Sequence, residues 1–235
     1  YTLDQVARLL PDRLAIYSYA HVPWLHPHQN RMPADQLPAP DLKLELLRTA
    51  SRRLEAEGGY QEIGFDHFAL PTDELATAVQ DRKLYRNFMG YTVKPARDYI
   101  GFGMTAISEV GHAFAQNHSK LNRYNEAVDS GHCAVSKGHT LSLEDQVRKL
   151  IIERLMCNQQ ITFEEVEALS KQPFCEHFAS QWQALEGFEA DGLVVRGKQD
   201  LTVTKLGRNF LRNICMLFDS YLDEQLREGR FSKTV

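Results

Sequence analysis

Residues 84–108, LYRNFMGYTVKPARDYIGFGMTAIS, restrict the backbone more tightly than any other part of the sequence. They join an Asn-Phe-x-Gly-Tyr-Thr turn (Asn87, Phe88, Gly90, Tyr91, Thr92) to a run in which Gly101 and Gly103 flank Phe102 ahead of Met104. Two glycines one residue apart in an apolar run bring backbone close to something else, either a neighbouring strand or a ligand. Spacing alone is also met by a hairpin or a barrel corner whose glycines serve packing.

The chain around this stretch reads as helix–strand steps. Residues 2–10 have the pattern of the end of a crossover helix, Pro11 to Arg13 a turn, and 14–19 a short buried strand. Residues 21–40 carry five prolines and three histidines, which predicts an irregular loop. A helix follows, with Asp41 as its expected cap, Leu44, Leu47 and Leu54 on one face and Gly58-Gly59 at its end. Residues 60–68 read as the next strand, surfacing at Asp66-His67-Phe68. Two such units in succession predict a parallel sheet or barrel, and two strands are too few to close one. The chain also opens inside a helix and without an initiator Met. Both points raise the expectation that it is the C-terminal part of something longer. Thr72 is the expected cap of a helix over 73–80, helical signals cover 109–117 and 120–129, and 131–138 reads as a loop.

From Thr140 the pattern changes. Ser142-x-x-Asp145 and Thr162-x-x-Glu165 are capping boxes ahead of two helices. Phe174, Phe178, Trp182, Leu185 and Phe188 form a helical stripe suited to core packing. Two short apolar runs about a polar turn at 196–200 predict a hairpin, and Thr204 is the expected cap of a long helix running to Leu222. Three helices, a hairpin and a helix outline a winged-helix-like domain, so the expected division is 1–139 and 140–235.

Composition removes several functions. Lys plus Arg is 27 against 31 Asp plus Glu, a formal charge of -4. The helix that a winged-helix protein would lay on DNA, 174–188, has no Lys or Arg and carries Glu176 and Glu186, with Glu189 next to it. Phosphates would repel it, so no nucleic-acid partner is expected. No run approaches the roughly 18 apolar residues of a membrane helix, and no basic and apolar leader is present, so a cytoplasmic protein with no membrane partner is expected. The cysteines, Cys133, Cys157, Cys175 and Cys215, are 24, 18 and 40 residues apart, with no Cys-x3-Cys-x2-Cys triplet. They read as free thiols in a reducing compartment.

Seven blocks give the chain a more specific likeness: Tyr19-Ala20-His21, Gly64 to Phe68, Arg86-Asn87-Phe88, Gly90-Tyr91-Thr92, Ala106-Ile107-Ser108, Ala115-Gln116-Asn117 and Arg212 to Cys215. In wording and order the chain resembles, over residues 1–235, the oxygen-independent coproporphyrinogen III oxidases, radical S-adenosylmethionine (SAM) enzymes of haem synthesis. The resemblance implies an α/β plus α chain, the C-terminal part of a partial (β/α) radical SAM barrel (1–139) and a helical cover domain (140–235). It implies SAM as cofactor and, in the full-length protein, a [4Fe–4S] cluster whose ligands this chain lacks. The implied reaction is oxidative decarboxylation of two propionates of coproporphyrinogen III to protoporphyrinogen IX through a SAM-derived radical. An electron donor or acceptor is implied as partner, and a monomer when full length.

Carried over residue by residue, Ala20, Phe88, Met89 and Ile107 are the implied SAM contacts. Ala20 would act through its backbone, Phe88 and Ile107 as apolar walls. Met89 stands where the best-known form has glutamine, so only a backbone contact would survive there. His21 and the Asp66-His67 pair lie at expected strand ends, where acids, bases or satisfied polar groups are all found. His21, His26, His28 and His67 match no standard zinc spacing. Without cluster ligands the chain alone is expected to be inactive. The alternatives are a haem-carrier relative, which would lack the Asn-Phe-x-Gly-Tyr-Thr wording, and a non-enzymatic winged-helix regulatory or scaffold protein.

Overall fold

The segment expected to form one strand over 60–68 is a tight hairpin. A computed structural model describes residues 1–64 and 66–222; Phe65 of the Gly64 to Phe68 block and residues 223–235 of the predicted second domain lie outside the description. Helix α1 (Thr2–Leu9) leads into β1 (Arg13–Ala15), then the proline-rich loop, α2 (Pro40–Ala56), β2 (Gln61–Gly64) and β3 (His67–Ala69). Strand β3 lies between the other two and runs antiparallel to both, with Leu14 opposite Phe68 and Gly64 opposite His67. The expected parallel pairing is therefore corrected for these strands. The polar Asp66-His67 step breaks the apolar run, and the chain doubles back there. Gly64 has its own reason: a Cβ at that position would sit 2.3 Å from the Tyr91 hydroxyl.

Two caps also differ from expectation. Helix α2 starts at Pro40, with Ala39 as its N-cap. Proline is pre-set for a first helical position, and Asp41 then adds charge to the first turn rather than capping it. Helix α3 (Glu74–Gln80) is capped by Asp73, whose Oδ1 accepts from the Leu75 amide at 2.8 Å, not by Thr72. The α2 end is as expected: Gly59 takes φ +68, beyond what a side chain accepts readily.

The stretch at 84–108 is two separate β features. Strands β4 (Tyr85–Asn87) and β5 (Gly90–Thr92) make a hairpin about Phe88-Met89. Strands β6 (Ile107–Val110) and β7 (Ala113–Asn117) make a second, joined by Gly111 and His112, both at positive φ. That turn type matches strand twist, which is why 109–117 is a hairpin and not the expected helix. Helix α4 (Leu121–Asp129) follows as expected. Part of the expected 131–138 loop is β8 (Val135–Thr140), the third strand of a β6-β7-β8 sheet.

The C-terminal region comprises α5 (Leu143–Asn158), β9 (Gln160–Thr162), α6 (Phe163–Ser170), α7 (Phe174–His177), α8 (Ala179–Ala190), β10 (Val194–Arg196), β11 (Asp200–Val203), a 3-10 turn (Gly207–Phe210) and α9 (Leu211–Met216). Both capping boxes form. The aromatic stripe is split at Phe178 between α7 and α8. It still builds the core, with the Phe163 and Phe174 rings stacked at 4.3 Å. The long helix expected from Thr204 begins instead with the 3-10 turn, whose Gly207 amide donates to Thr204 Oγ1 at 3.0 Å.

Helix α5 serves two cores. Val147, Ile151 and Leu155 enter the C-terminal one. Cys157 enters a second, with Ile63, Ala69, Leu75, Leu84 and Tyr91. A helix buried on more than one side needs apolar residues beyond a single stripe, and the run Leu150-Ile151-Ile152 followed by Leu155-Met156-Cys157 supplies them. Among the described residues no helix is long and apolar enough to cross a membrane.

Candidate functional site

The Phe88–Met89 turn is held from below and left open above. Asn87 Oδ1 accepts from the Met89 amide at 2.8 Å, a side-chain turn that fixes the two residues between β4 and β5. Met89 is 94% exposed and Phe88 55%. The Phe88 ring meets the Phe114 ring edge-on at 5.3 Å. In the β6–β7 ladder Ile107 faces Gln116 and Glu109 faces Phe114. Residues directly opposite and two apart point to one side, so Ile107 and Phe114 share a face of that sheet. Phe88 and Met89 thus form an exposed corner whose Phe88 ring rests on Phe114, on the sheet face that also carries Ile107.

The glycine run borders this corner. Gly101 donates to Ser108 Oγ at 3.0 Å and Gly103 to the Tyr124 hydroxyl at 3.1 Å. Asn117 Nδ2 donates to the carbonyls of Gly101 (3.3 Å) and Gly103 (2.9 Å). The close approach at Gly101 is to a neighbouring strand: a Cβ there would lie 2.8 Å from the Ile107 carbonyl oxygen. With its backbone fastened, the run turns Ile100, Phe102 and Met104 outward, Phe102 at 88% exposure.

Ala20 is anchored elsewhere, in the loop after β1. Its carbonyl accepts from Gln29 Nε2 at 3.1 Å, while Gln29 Oε1 accepts from the Val22 amide at 2.6 Å. Gln29 is buried and acts as a clamp across residues 20–22. His21 Nε2 lies 3.4 Å from the Gln29 carbonyl. Asp66 and His67 pair at 2.5 Å, and the His67 ring stands edge-on to Tyr91 at 5.0 Å. The His26 and His28 rings are 5.7 Å apart.

The sulfur inventory does not suit an iron–sulfur cluster. Cys133 and Cys175 are exposed, Cys157 and Cys215 buried, and all four are free. Burial pushes the thiols of Cys157 and Cys215 up to about 12, far from the thiolate that binds iron. Among the described residues no three His, Cys, Asp or Glu side chains converge on a possible metal position.

Four ionisable residues behind the corner were not singled out in the sequence. Tyr99 and Glu109 exchange two backbone hydrogen bonds, 2.8 and 3.0 Å. Burial, and then the Glu109 carboxylate, push the Tyr99 phenol up to about 12. Lys149 of α5 pairs with Glu109 and holds its ammonium 5.2 Å from the Phe114 ring centroid. Glu153, one turn on, has its carboxyl pushed up by burial against the pull of Lys149 and Arg154. The signal was the i, i+4 Lys149/Glu153 pair flanking the apolar run Leu150-Ile151-Ile152, which is ambiguous with a solvated face. Reading 109–117 as helix hid Glu109.

Comparison with known proteins gives the chain its relatives. A family model described as the HemN C-terminal domain matches residues 141–210. The chain is 43% identical over 234 residues to an oxygen-independent coproporphyrinogen III oxidase of Pseudomonas aeruginosa, covering 100% of this chain and 50% of that protein. A Thermostichus vulcanus protein of the same description is 42% identical over 236 residues, covering 100% of this chain and 72% of the relative. The solved structure reported as "Coproporphyrinogen III oxidase (HemN) from Escherichia coli is a Radical SAM enzyme" superposes with a TM-score of 0.88 at 40% identity, covering 94% of this chain and 50% of that one. The chain spans about half the length of the first of these relatives.

Proposed function

The chain belongs to the oxygen-independent coproporphyrinogen III oxidase family, and from that premise we propose that it forms the C-terminal half of such an enzyme, which oxidatively decarboxylates two propionates of coproporphyrinogen III to give protoporphyrinogen IX. In this reading residues 1–139 belong to a partial (β/α) radical SAM barrel and 140–235 to a winged-helix-like cover. The order α5-β9-α6-α8-β10-β11, with the β10-β11-β9 sheet, supports the second assignment. The full protein is a cytoplasmic monomer that exchanges electrons with a partner.

One observation supports the SAM assignment: Phe88 and Met89 stand exposed at a turn whose backbone is fixed, and the Phe88 ring rests on the sheet face that also carries Ile107. An apolar, preformed wall fits an adenine ring and a methylene chain. When bound there, SAM supplies the group that takes hydrogen from the propionate. Phe88 and Ile107 exclude water and orient the ligand. The Met89 amide is already committed to Asn87, so its carbonyl is the backbone group for a contact. Ala20, its carbonyl held by Gln29, offers its amide side. The cysteines present do not fit the cluster, and no step here runs through it.

The test is anaerobic assay of the full-length gene product with SAM and coproporphyrinogen III. Loss of two carbon dioxides per substrate is expected, with none from the 235-residue chain alone. A full-length product that binds SAM but releases no carbon dioxide would overturn the oxidase reading.

A further inference from the structure

Three elements meet behind the Phe88–Met89 turn. From α5, Lys149 reaches across to pair with Glu109 on β6 and lies over Phe114 on β7. Phe114 is the ring on which Phe88 rests. Glu109 is bridged through its backbone to Tyr99, in the segment that follows the β4–β5 hairpin. The Glu109 side chain is 12% exposed and that of Lys149 37%, so this ion pair is shielded more than an ordinary surface pair.

We propose that Lys149, with Glu109 and Tyr99, is a positioning device that sets the Phe88–Met89 turn from α5. The inference rests on the reading of that turn as a SAM-binding wall. Lys149 does not touch the cofactor. It fixes the Phe114 ring by cation–π contact and the Glu109 carboxylate by charge, and through them the place where Phe88 stands. A turn held in advance loses less freedom on binding, so the effect appears as affinity for SAM. The helical region thereby acts on the cofactor corner through one lysine.

The experiment uses the full-length protein and SAM itself. Lys149→Met keeps an unbranched stem over Phe114 and removes the charge. Amide hydrogen exchange across 87–90, measured without ligand, should quicken about tenfold in K149M. SAM affinity by equilibrium binding should fall about fivefold or more, with the KM for the porphyrinogen unchanged. Lys149→Arg keeps charge and ring contact and should restore both readings. Phe114→Leu, which removes the ring but not the ion pair, should quicken exchange as well. Unchanged exchange in both K149M and F114L overturns the positioning role, whatever happens to SAM. Phe88→Ala tests the underlying reading separately. If F88A binds SAM normally while K149M still loosens the turn, the cofactor assignment fails and the mechanical coupling stands. Slower porphyrinogen turnover in K149M with normal exchange and normal SAM affinity would also sink the proposal.

Discussion

The Tyr221 hydroxyl donates to Asp145 Oδ1 at 2.9 Å, while Oδ2 of the same carboxylate accepts from the Ser142 amide at 2.9 Å. One aspartate thus starts α5 and ties down the segment after α9. Burial pushes its carboxyl up, but the Ser142 and Tyr221 bonds and the His139 charge outweigh this and hold it below the usual carboxylate range. A depressed folded pKa gives stability that is present above the unfolded value near 3.8 and lost as pH falls through the folded one. Asp145→Asn should therefore cost about 1 kcal/mol at neutral pH. It should also flatten the stability profile below about pH 4, measured by urea unfolding across pH.

Gly64 is a close-approach position. With a Cβ 2.3 Å from the Tyr91 oxygen and 2.5 Å from its ring carbon, Gly64→Ala should destabilise by about 1–3 kcal/mol. The cost should shrink sharply in a Tyr91→Leu background. A double-mutant cycle from denaturant unfolding measures the coupling, and additive costs would refute the contact.

The thiols should divide by burial. Cys133 and Cys175 are exposed; Cys157 and Cys215 are enclosed, with thiols pushed up to about 12. A thiol reagent should consume two of the four in the native chain and the other two only in denaturant. Early reaction of Cys157 would mean that α5 opens away from β2 and β5 in solution.

The corner and the core should respond in opposite ways to truncation. Phe174→Ala removes a ring enclosed by Phe163, Phe178 and Trp182 and should cost about 3–5 kcal/mol. Met89→Ala, at 94% exposure, should stay within about 0.5 kcal/mol of wild type. Phe88→Ala should likewise change melting little and weaken SAM binding. Large unfolding effects at Phe88 would mark it as structural.

Much of the C-terminal region was legible because its signals are local. Capping boxes at Ser142 and Thr162 and the β10–β11 hairpin depend on residues three or four apart. The aromatic stripe was read correctly as core, although the non-helical backbone at Phe178 divides it between two helices. The N-terminal half was less legible. Its strands are three to six residues long, and an apolar run at 60–68 does not say whether it continues or folds back. At 109–117 the run Ala113-Phe114-Ala115 suits either helix or strand, and two residues at positive φ decide it. Of the candidate site, the wording around Phe88 was visible in sequence. The Lys149–Glu109 contact was not, because forty positions separate its partners and only the fold brings them together.

Helix α5 has a consequence for anyone wishing to divide this protein. A cut after residue 139 would look natural on the sequence. It would also carry off Cys157, the cover of Ile63, Leu84 and Tyr91, together with Asn158, whose side chain reaches the Leu84 amide at 3.4 Å. The longer, N-terminal piece would expose that apolar floor to water, and the shorter piece would keep a helix with one flank bare. The region 143–158 behaves as a keystone: it lies in sequence with one half and is needed by both, so neither can be handled as a free-standing module.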